Sequence, residues 1–337
     1  MNIKELREIS EREYSLNFTE IELQYGKFYR HYHTLEHVCD MLNFIENKFG
    51  KETRDKLFIP VLFHDIVYEP GATDNEEASI VFLKRMQSYR ITNEKLIFAH
   101  RCIMRTKTIS PIESFEKLEE IMAWADIRAL LEYNIPQLIL YERKIFKEFQ
   151  YSSIVDYKKS RIQFLENTKL IMGKNLPAID FLIEYIENYE PSVAVYAGSF
   201  NPLHNGHIDI LLKADKIFDK VIVAKGINSL KENQCKWSIP DIVSKHFEVL
   251  HYSNLLSDFL DSIGKNTTLV RGIRNGFDLE QEKSICRVLE DIARNEKHQI
   301  VHFLSSRETE HVSSTLVRDI VSYDHELALK YVPEFKN

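Results

Sequence analysis

The 337-residue sequence has little of what marks disulfide-bonded, membrane-spanning or low-complexity proteins. It contains only four cysteines, none in a CxxC arrangement: Cys39, Cys102, Cys235 and Cys286. That scarcity is typical of free thiols in a reducing compartment. No apolar run approaches the roughly 18 residues of a membrane-spanning helix, and the charged first residues lack the apolar core of a signal peptide. We therefore expect a soluble, cytoplasmic protein that contacts no membrane.

A large excess of one charge sign is missing as well. The chain carries 44 basic and 51 acidic residues, which are interspersed and give a net charge of −7. A general nucleic-acid surface or a polybasic membrane patch would need clustered positive charge, so neither is expected. The apolar fraction of 44% is enough for buried cores, and the length favours two domains.

Glycine is scarce before residue 190, where only four of the ten glycines occur. Apolar residues in this part recur at spacings of three and four, as in the stripe formed by Val38, Met41, Leu42 and Ile45. This pattern predicts an all-helical domain over residues 1–190. Pro191 cannot continue a helix, and a β-rich composition follows it, so a second domain is predicted over residues 191–337.

The second domain opens on the stretch 196–211, YAGSFNPLHNGHIDIL. A short apolar run precedes it and apolar residues at helical spacing follow, which predicts a strand, a loop and a helix. Gly198 allows a tight turn or the close approach of a ligand. Free N–H groups and the positive end of the dipole at the start of a helix favour anions. Two imidazoles at that point, His204 and His207, indicate phosphate chemistry.

The His-x-Gly-His arrangement at 204–207 resembles the signature of the nucleotidyltransferase superfamily, and the wider stretch is most similar to phosphopantetheine adenylyltransferases. Further blocks at 271–282 and 312–318 resemble the same family, and three more strands are predicted at 220–224, 267–270 and 299–304. The resemblance implies a Rossmann-like parallel sheet and transfer of AMP from ATP to a phosphorylated acceptor. The first choice of acceptor is 4'-phosphopantetheine, and nicotinamide mononucleotide is the alternative.

The resemblance also implies site residues. His207, Lys231 and Arg274 would stabilise the transition state, Mg²⁺ would accompany ATP, and a homo-oligomer is expected. The acceptor would contact Ser199, Lys231 and Arg271. The nucleotide would contact residues from three blocks, namely Gly198, Ser199, Phe200, His204, Gly206, His207, Arg274, Glu282, Ser313, Ser314, Thr315 and Arg318. Residues 237–242 depart from the helix start of the family, which leaves the identity of the acceptor open.

Two histidine-bearing stretches mark the helical half. His33 and His37 are four residues apart, which predicts that they share one helix face. His64 and Asp65 interrupt an otherwise apolar helix that is predicted at 61–68. Burying such a pair without partners is costly, and a bound metal would remove that cost. Imidazole and carboxylate ligands suit Zn, Mn, Fe or Mg, and the ligand set does not choose between them.

These stretches resemble the HD superfamily of metal-dependent phosphohydrolases. The resemblance implies the ligands His33, His64, Asp65 and Asp126, with His37 as the competitor of His33, and a catalytic role for Asp65. Arg30 would hold the substrate phosphate, and Glu76 is a further candidate. Trp124 stands where that branch usually has another aspartate, so a degenerate HD domain in a non-catalytic nucleotide sensor is the alternative.

The sequence thus predicts a bifunctional, multi-domain enzyme. An all-α, HD-type helical domain is followed by an α/β Rossmann-like nucleotidyltransferase domain with a parallel sheet.

Overall fold

The computed structural model describes residues 1–111, 115–173, 176–227, 237–264, 266–292 and 298–333. The chain forms two compact units. The first, here called the helical unit, comprises Met1–Phe149 and Val155–Asn188. The second, here called the sheet unit, comprises Gln150–Ile154 and Tyr189–Asn337.

The first part of the chain is helical, as its apolar spacing predicts. Its described helices are α1 (Ile3–Tyr14), α2 (Phe18–Tyr25), α3 (Leu35–Phe49), α4 (Lys51–Phe63), α5 (Asn75–Arg85), α6 (Asn93–Thr106), α7 (Leu118–Ile127), α8 (Ala129–Glu132), α9 (Ile135–Glu148), α10 (Ile154–Met172) and α11 (Pro177–Asn188). Side chains cap several of them, and Asn2 with Glu5 forms a capping box on α1. Among the described residues, no helix combines the length and the apolar composition needed to span a bilayer.

The core of the helical unit forms around α3 and α4. The predicted stripe on α3 is buried, and Leu42 and Ile45 are fully enclosed together with Leu57 and Leu62 of α4. A second apolar cluster joins α9, α10 and α11. Burial of these faces holds the loops that follow α2 and α4 in place, and those loops carry most of the predicted metal ligands.

The sheet unit contains five parallel strands. They are β1 (Val193–Gly198), β2 (Lys220–Gly226), β3 (Glu248–Tyr252), β4 (Thr267–Ile273) and β5 (Gln299–Leu304). Its described helices are α12 (Asn205–Asp215), α13 (Asp241–Ser244), α14 (Leu256–Ile263), α15 (Gly276–Ile292), α16 (Ser314–Tyr323) and α17 (His325–Ala328), and a 3₁₀ turn follows at Leu329–Tyr331. The four predicted strands are confirmed. Strand β3 was not predicted, because EVLHY is only half-buried and has no clear apolar pattern.

The strand order, β3-β2-β1-β4-β5, places the first strand at the centre of the sheet. β1 pairs with β2 on one side and with β4 on the other, and Tyr196 lies opposite both Val223 and Val270. The direction in which the chain winds reverses between β1 and β4. Ligands of open parallel sheets bind outside the carboxyl ends of the strands at such a point.

Residues 150–154 belong to the sheet unit although helices of the other unit flank them in sequence. The buried ammonium of Lys220 lies 2.6 Å from the carbonyl oxygen of Ser152 and 2.9 Å from Glu248 Oε2. The side chain of Gln150 bonds to the amide of Val221 and to Asp215. A buried ammonium needs such partners, and these contacts join residues 150–154 to the sheet unit. The sheet unit therefore contains this segment in addition to the residues that follow the predicted boundary near 190.

Candidate functional site

A cleft of about 330 Å³ opens at the carboxyl ends of β1 and β4. It lies at the point of the sheet where the topology favours a ligand. The predicted site residues that line it are Gly198, Ser199, Phe200, His204, Gly206, His207, Arg271, Arg274, Glu282, Ser313 and Ser314. Three segments that are distant in sequence therefore converge on one cavity.

The loop after β1 is tightly folded. Phe200 is almost fully buried and has a left-handed backbone, with φ at 44°. Its ring occupies the space over Gly198, where an added Cβ would come within 3.1 Å of the ring. A larger residue than glycine at 198 would displace Phe200. The loop therefore depends on both residues to present its backbone to the cleft.

The two histidines of the motif form a capping box at the start of α12. His204 is the N-cap residue, and its Nδ1 accepts a hydrogen bond from the amide of Gly206 at 3.1 Å. The amide of His204 donates to Nδ1 of His207 at 3.0 Å. Because both Nδ1 atoms are acceptors, the proton of each neutral ring is on Nε2. Each ring then offers one N–H donor.

Both imidazoles are held neutral. Burial and then the nearby Arg274 lower the pKa of His204 to about 4. Burial, His204 and Arg274 together lower the pKa of His207 well below its ordinary value. At neutral pH both rings therefore act as uncharged hydrogen-bond donors, which suits the stabilisation of phosphate oxygens and does not require proton transfer.

The two arginines of the β4–α15 segment are each held by a carboxylate. Arg271 donates to both carboxylate oxygens of Glu282, at 2.8 and 2.6 Å, and to the carbonyl of Ala197 at 2.9 Å. Arg274 donates to both oxygens of Asp278, and this contact lowers the pKa of Asp278. A phosphate that reaches either arginine must compete with these ion pairs. Asp278 was not predicted as a site residue, although its i,i+4 spacing from Arg274 was a usable signal.

The hydroxyls at the start of α16 make internal hydrogen bonds. Ser313 is the N-cap residue and accepts from the amide of Leu316, while the hydroxyl of Ser314 donates to the carbonyl of Pro202. Arg318 donates to the carbonyl of Asn201, and Thr315 is exposed. Neither Thr315 nor Arg318 is among the residues that line the cleft, although both were predicted to contact the nucleotide. Lys231, the remaining predicted residue, lies outside the described residues.

In the helical unit, one group of side chains has the composition of a metal site. Ligand atoms of His37, His64, Asp65 and Asp126 all lie within 4.8 Å of one another. Nδ1 of His64 donates to the carbonyl of Val61 at 2.8 Å, so Nε2 is the ring nitrogen that faces the carboxylates of the group. Nε2 lies 2.9 Å from Asp65 Oδ2 and 3.6 Å from Asp126 Oδ1. Burial opposes the charged form of Asp65, but His64 lowers the pKa of its carboxyl well below the usual range.

The structure brings His37, and not His33, to this group. The prediction that both share a helix face is wrong, because α3 begins at Leu35 and His33 precedes it. Nδ1 of His33 lies 2.6 Å from Glu148 Oε2. The buried carboxylate of Glu148 also accepts from the backbone amides of residues 31–33 and from the hydroxyl of Tyr68. No local pattern pointed to Glu148, which follows His33 by more than a hundred residues.

Other expectations for the helical unit change as well. His64 and Asp65 directly follow α4, which ends at Phe63, and so do not lie within a helix. Arg30 is buried and donates to the backbone carbonyls of Asp65 and Ile66, at 2.7 and 3.0 Å. It fixes the chain beside the metal-type group and is not placed to bind a substrate phosphate. Glu76 lies in the first turn of α5, where burial raises its pKa.

The indole of Trp124, at the position where the HD branch usually has an aspartate, donates to Glu132. It stacks edge-on against Phe115 and lies beside the ammonium of Lys48. Trp124 therefore has packing partners of its own and adds no ligand to the group around His64.

Comparison with known proteins places the sheet unit in a family. Residues 195–246 match the Cytidylyltransferase-like family. The phosphopantetheine adenylyltransferase of Leuconostoc mesenteroides is 36% identical over 150 residues, which are 42% of this chain and 90% of the relative. The enzyme of that name from Campylobacter concisus is 34% identical over 40% of this chain and 88% of its own length. That from Christiangramia forsetii is 38% identical over 39% of this chain and 88% of its own length.

These relatives are matched over nearly their whole length, whereas the match takes up less than half of this chain. The C-terminal region is thus a nucleotidyltransferase-like domain, and the same chain also contains a helical region. Through this C-terminal region, the chain belongs to the phosphopantetheine adenylyltransferase family.

Proposed function

We propose that the sheet unit transfers the adenylyl group of ATP to 4'-phosphopantetheine and releases dephospho-coenzyme A and pyrophosphate. The observation that carries this proposal is the capping box of His204 and His207, which presents two neutral imidazoles to a cleft at the switch point of the sheet. The three relatives described above are phosphopantetheine adenylyltransferases, which supports the choice of acceptor.

The proposed reaction is a single in-line displacement. A phosphate oxygen of the acceptor forms a bond to the α-phosphorus of ATP, and the bond to the bridging oxygen breaks. Pyrophosphate leaves with that electron pair, so no covalent enzyme intermediate is required. Catalysis then consists of positioning the two phosphates and stabilising the charge on the phosphorus-bound oxygens.

Six of the predicted residues have a defined part in this scheme. His207 donates from Nε2 to the oxygens of the reacting phosphorus, and His204 and Ser199 support the phosphates. Arg271 takes the acceptor phosphate and Arg274 the ATP phosphates, after each arginine has exchanged its carboxylate partner. Lys231 is proposed to neutralise the reacting phosphates. Mg²⁺ bound to ATP would neutralise part of the triphosphate charge.

The acceptor is tested by comparing 4'-phosphopantetheine with nicotinamide mononucleotide. Full-length protein is incubated with Mg-ATP and one acceptor, and pyrophosphate release is measured as a function of acceptor concentration. We expect a higher kcat/KM with 4'-phosphopantetheine. A higher value with nicotinamide mononucleotide would move the assignment to that acceptor, and release with neither acceptor would contradict adenylyl transfer to both.

We also propose that the helical unit is an HD-type, metal-dependent phosphohydrolase. The buried Nε2 of His64 is directed towards two carboxylates, 2.9 Å from Asp65 Oδ2 and 3.6 Å from Asp126 Oδ1. Such an atom is suited to a divalent cation, which His37, His64, Asp65 and Asp126 would hold. When bound, the ion would polarise a phosphoryl oxygen of the substrate. The composition of the group suits Zn, Mn, Fe or Mg.

Two further expectations stay predictions, namely a homo-oligomeric state and a cytoplasmic location. The alternative for the whole chain, a non-catalytic nucleotide sensor, is supported by Trp124 at a position where the HD branch usually has a ligand. A sensor would bind Mg-ATP without releasing pyrophosphate, so the same assay separates the two functions.

A further inference from the structure

We infer that Asp209 and Lys213 form a positioning clamp, which holds the turn 305–313 against α12 and thereby sets the geometry of the ATP phosphate site. The inference rests on the proposed adenylyl transfer, since it concerns the same cleft. Neither residue was a predicted site residue. Neither is among the residues that line the cavity, so their role is positioning and not catalysis.

Asp209 is the centre of the clamp. Its Oδ2 accepts from the amide of Ser306 at 2.7 Å, and its Oδ1 accepts from the hydroxyl of Ser306 at the same distance. Oδ2 also accepts from the hydroxyl of Thr309 at 3.3 Å. The side chain of Asp209 is only 15% exposed. One largely buried carboxylate therefore collects three donors from a segment that lies about a hundred residues away.

Lys213 lies one helical turn after Asp209 on α12 and completes the clamp. Its ammonium donates to Asp209 Oδ2 at 2.9 Å and to the carbonyl of Leu304, the last residue of β5, at 2.6 Å. The chain that leaves β5 is therefore held at Leu304 and again at Ser306. Two charged side chains on a single helix fix the exit of the strand.

The fixed turn leads directly to the cleft. The amide of Thr309 donates to the carbonyl of Ser306, and the amide of Val312 donates to the carbonyl of Thr309. These bonds transmit the position of Ser306 to Val312 and Ser313, which line the cleft. A Cβ added at Gly206 would lie 3.4 Å from the carbonyl oxygen of Thr309, so the turn also packs closely on the start of α12.

The clamp therefore joins two helix starts that face one cavity. α12 begins at the two histidines, and α16 begins at Ser313 and Ser314. Their separation decides whether a phosphate can contact both, and displacements of about 1 Å are enough to weaken such a site strongly. Since Asp209 and Lys213 hold the segment before α16 to the body of α12, they fix that separation.

The test measures the affinity of the full-length protein for Mg-ATP by calorimetry, which does not depend on the acceptor. Asp209→Asn places an amide among the three donors, so it should raise the Kd for Mg-ATP at least about tenfold, equivalent to about 1.4 kcal/mol. Ser306→Ala and Lys213→Met, which each remove part of the clamp, should raise it by less. In steady-state assays, Asp209→Asn should raise the KM for ATP more than the KM for the acceptor.

Asp219→Asn is the matched control. Asp219 accepts from the amide and the hydroxyl of Ser192, at 3.0 and 2.8 Å, which is the same pair of contacts at the opposite end of β1. It should lower the melting temperature by less than Asp209→Asn, because its contacts are exposed, and it should leave the Kd for Mg-ATP unchanged. An equal increase of the Kd for Mg-ATP in both variants would indicate a general loss of stability and would contradict the proposed clamp.

An unchanged Kd for Mg-ATP in Asp209→Asn would also contradict the proposed clamp. If Asp209→Asn does not fold, an unchanged Kd in both Ser306→Ala and Lys213→Met would contradict it. Wild-type protein that binds no Mg-ATP would contradict the proposed function itself and would remove the basis of the clamp, so the two failures are distinguishable.

Discussion

At the scale of single residues, charge and protonation decide what the cleft can do. The neutral rings of His204 and His207 contribute N–H donors, and the positive charge comes from the arginines. Arg271 and Arg274 are both paired with carboxylates, which hold the guanidinium groups in fixed orientations. The site is thus prepared to receive anions while its own charges are balanced.

The protonation of His204 and His207 can be observed directly. The ring pKa values in the folded protein are lowered, to about 4 for His204. Their ¹³C and ¹H ring resonances, assigned with His204→Ala and His207→Ala, should therefore stay constant from pH 8 to about 5.5. In the unfolded chain, both rings bind a proton near pH 6.5. Between pH 6.5 and the lowered pKa values, the unfolded state therefore binds more protons than the folded state. The free energy of unfolding should decrease as the pH falls through this range. Titration of either ring near pH 6.5 would contradict the assignment.

The two arginines should separate kinetically. Arg271→Ala should raise the KM for the acceptor more than the KM for ATP, because the matched arginine of the family contacts the acceptor phosphate. Arg274→Ala should show the opposite preference, with the KM for ATP raised more. Initial rates of pyrophosphate release with each substrate varied in turn measure both values. The reverse pattern would exchange the roles given to Arg271 and Arg274.

At the scale of secondary-structure elements, the predictions hold where burial shaped the sequence. Four strands and the helical half were predicted because they contain apolar runs or stripes. β3 was missed because its residues are half-buried. The prediction that His33 and His37 share a helix face was wrong. Spacing alone does not say where a helix begins, and α3 begins after His33. Glu148 and Asp209 act through contacts made only in the folded chain, and local patterns do not show such contacts.

The capping role of His204 can be separated from its place in the cleft. His204→Ala removes the acceptor for the amide of Gly206 and should lower the free energy of unfolding of the sheet unit by about 1 kcal/mol. His204→Asn keeps a capping acceptor and should retain most of that stability, while both variants lose the imidazole donor. Urea unfolding, followed by the fluorescence of Trp237 in a Trp124→Phe background, measures this unit. Equal destabilisation by alanine and asparagine would contradict the capping role.

At the scale of the whole molecule, two candidate sites of different chemistry lie in two units. The group around His64 needs only side chains of the helical unit, and the cleft needs only side chains of the sheet unit. Each site should therefore be removable without loss of the other. Short motifs in the sequence indicated both chemistries. That residues 150–154 belong to the sheet unit was not predicted, because it depends on contacts with the buried ammonium of Lys220.

Metal binding tests the helical unit. Purified protein should contain a divalent metal, and a chelator should lower the melting temperature of this unit, because metal binding stabilises the folded state. His64→Ala should remove the metal, the chelator-dependent shift and any phosphatase activity on nucleotides, and pyrophosphate release should persist. If reconstituted protein binds no metal and its melting does not change, the helical unit has no active metal site.

The central claim, adenylyl transfer in the cleft of the sheet unit, is tested most directly by His207→Ala. Wild-type protein with Mg-ATP and 4'-phosphopantetheine should release pyrophosphate and form an equal amount of dephospho-coenzyme A. The variant should lose this turnover but still bind Mg-ATP, because the Nε2 donor of His207 acts mainly in the transition state. Undiminished turnover in His207→Ala, or wild-type protein that forms no adenylylated product, would contradict the claim.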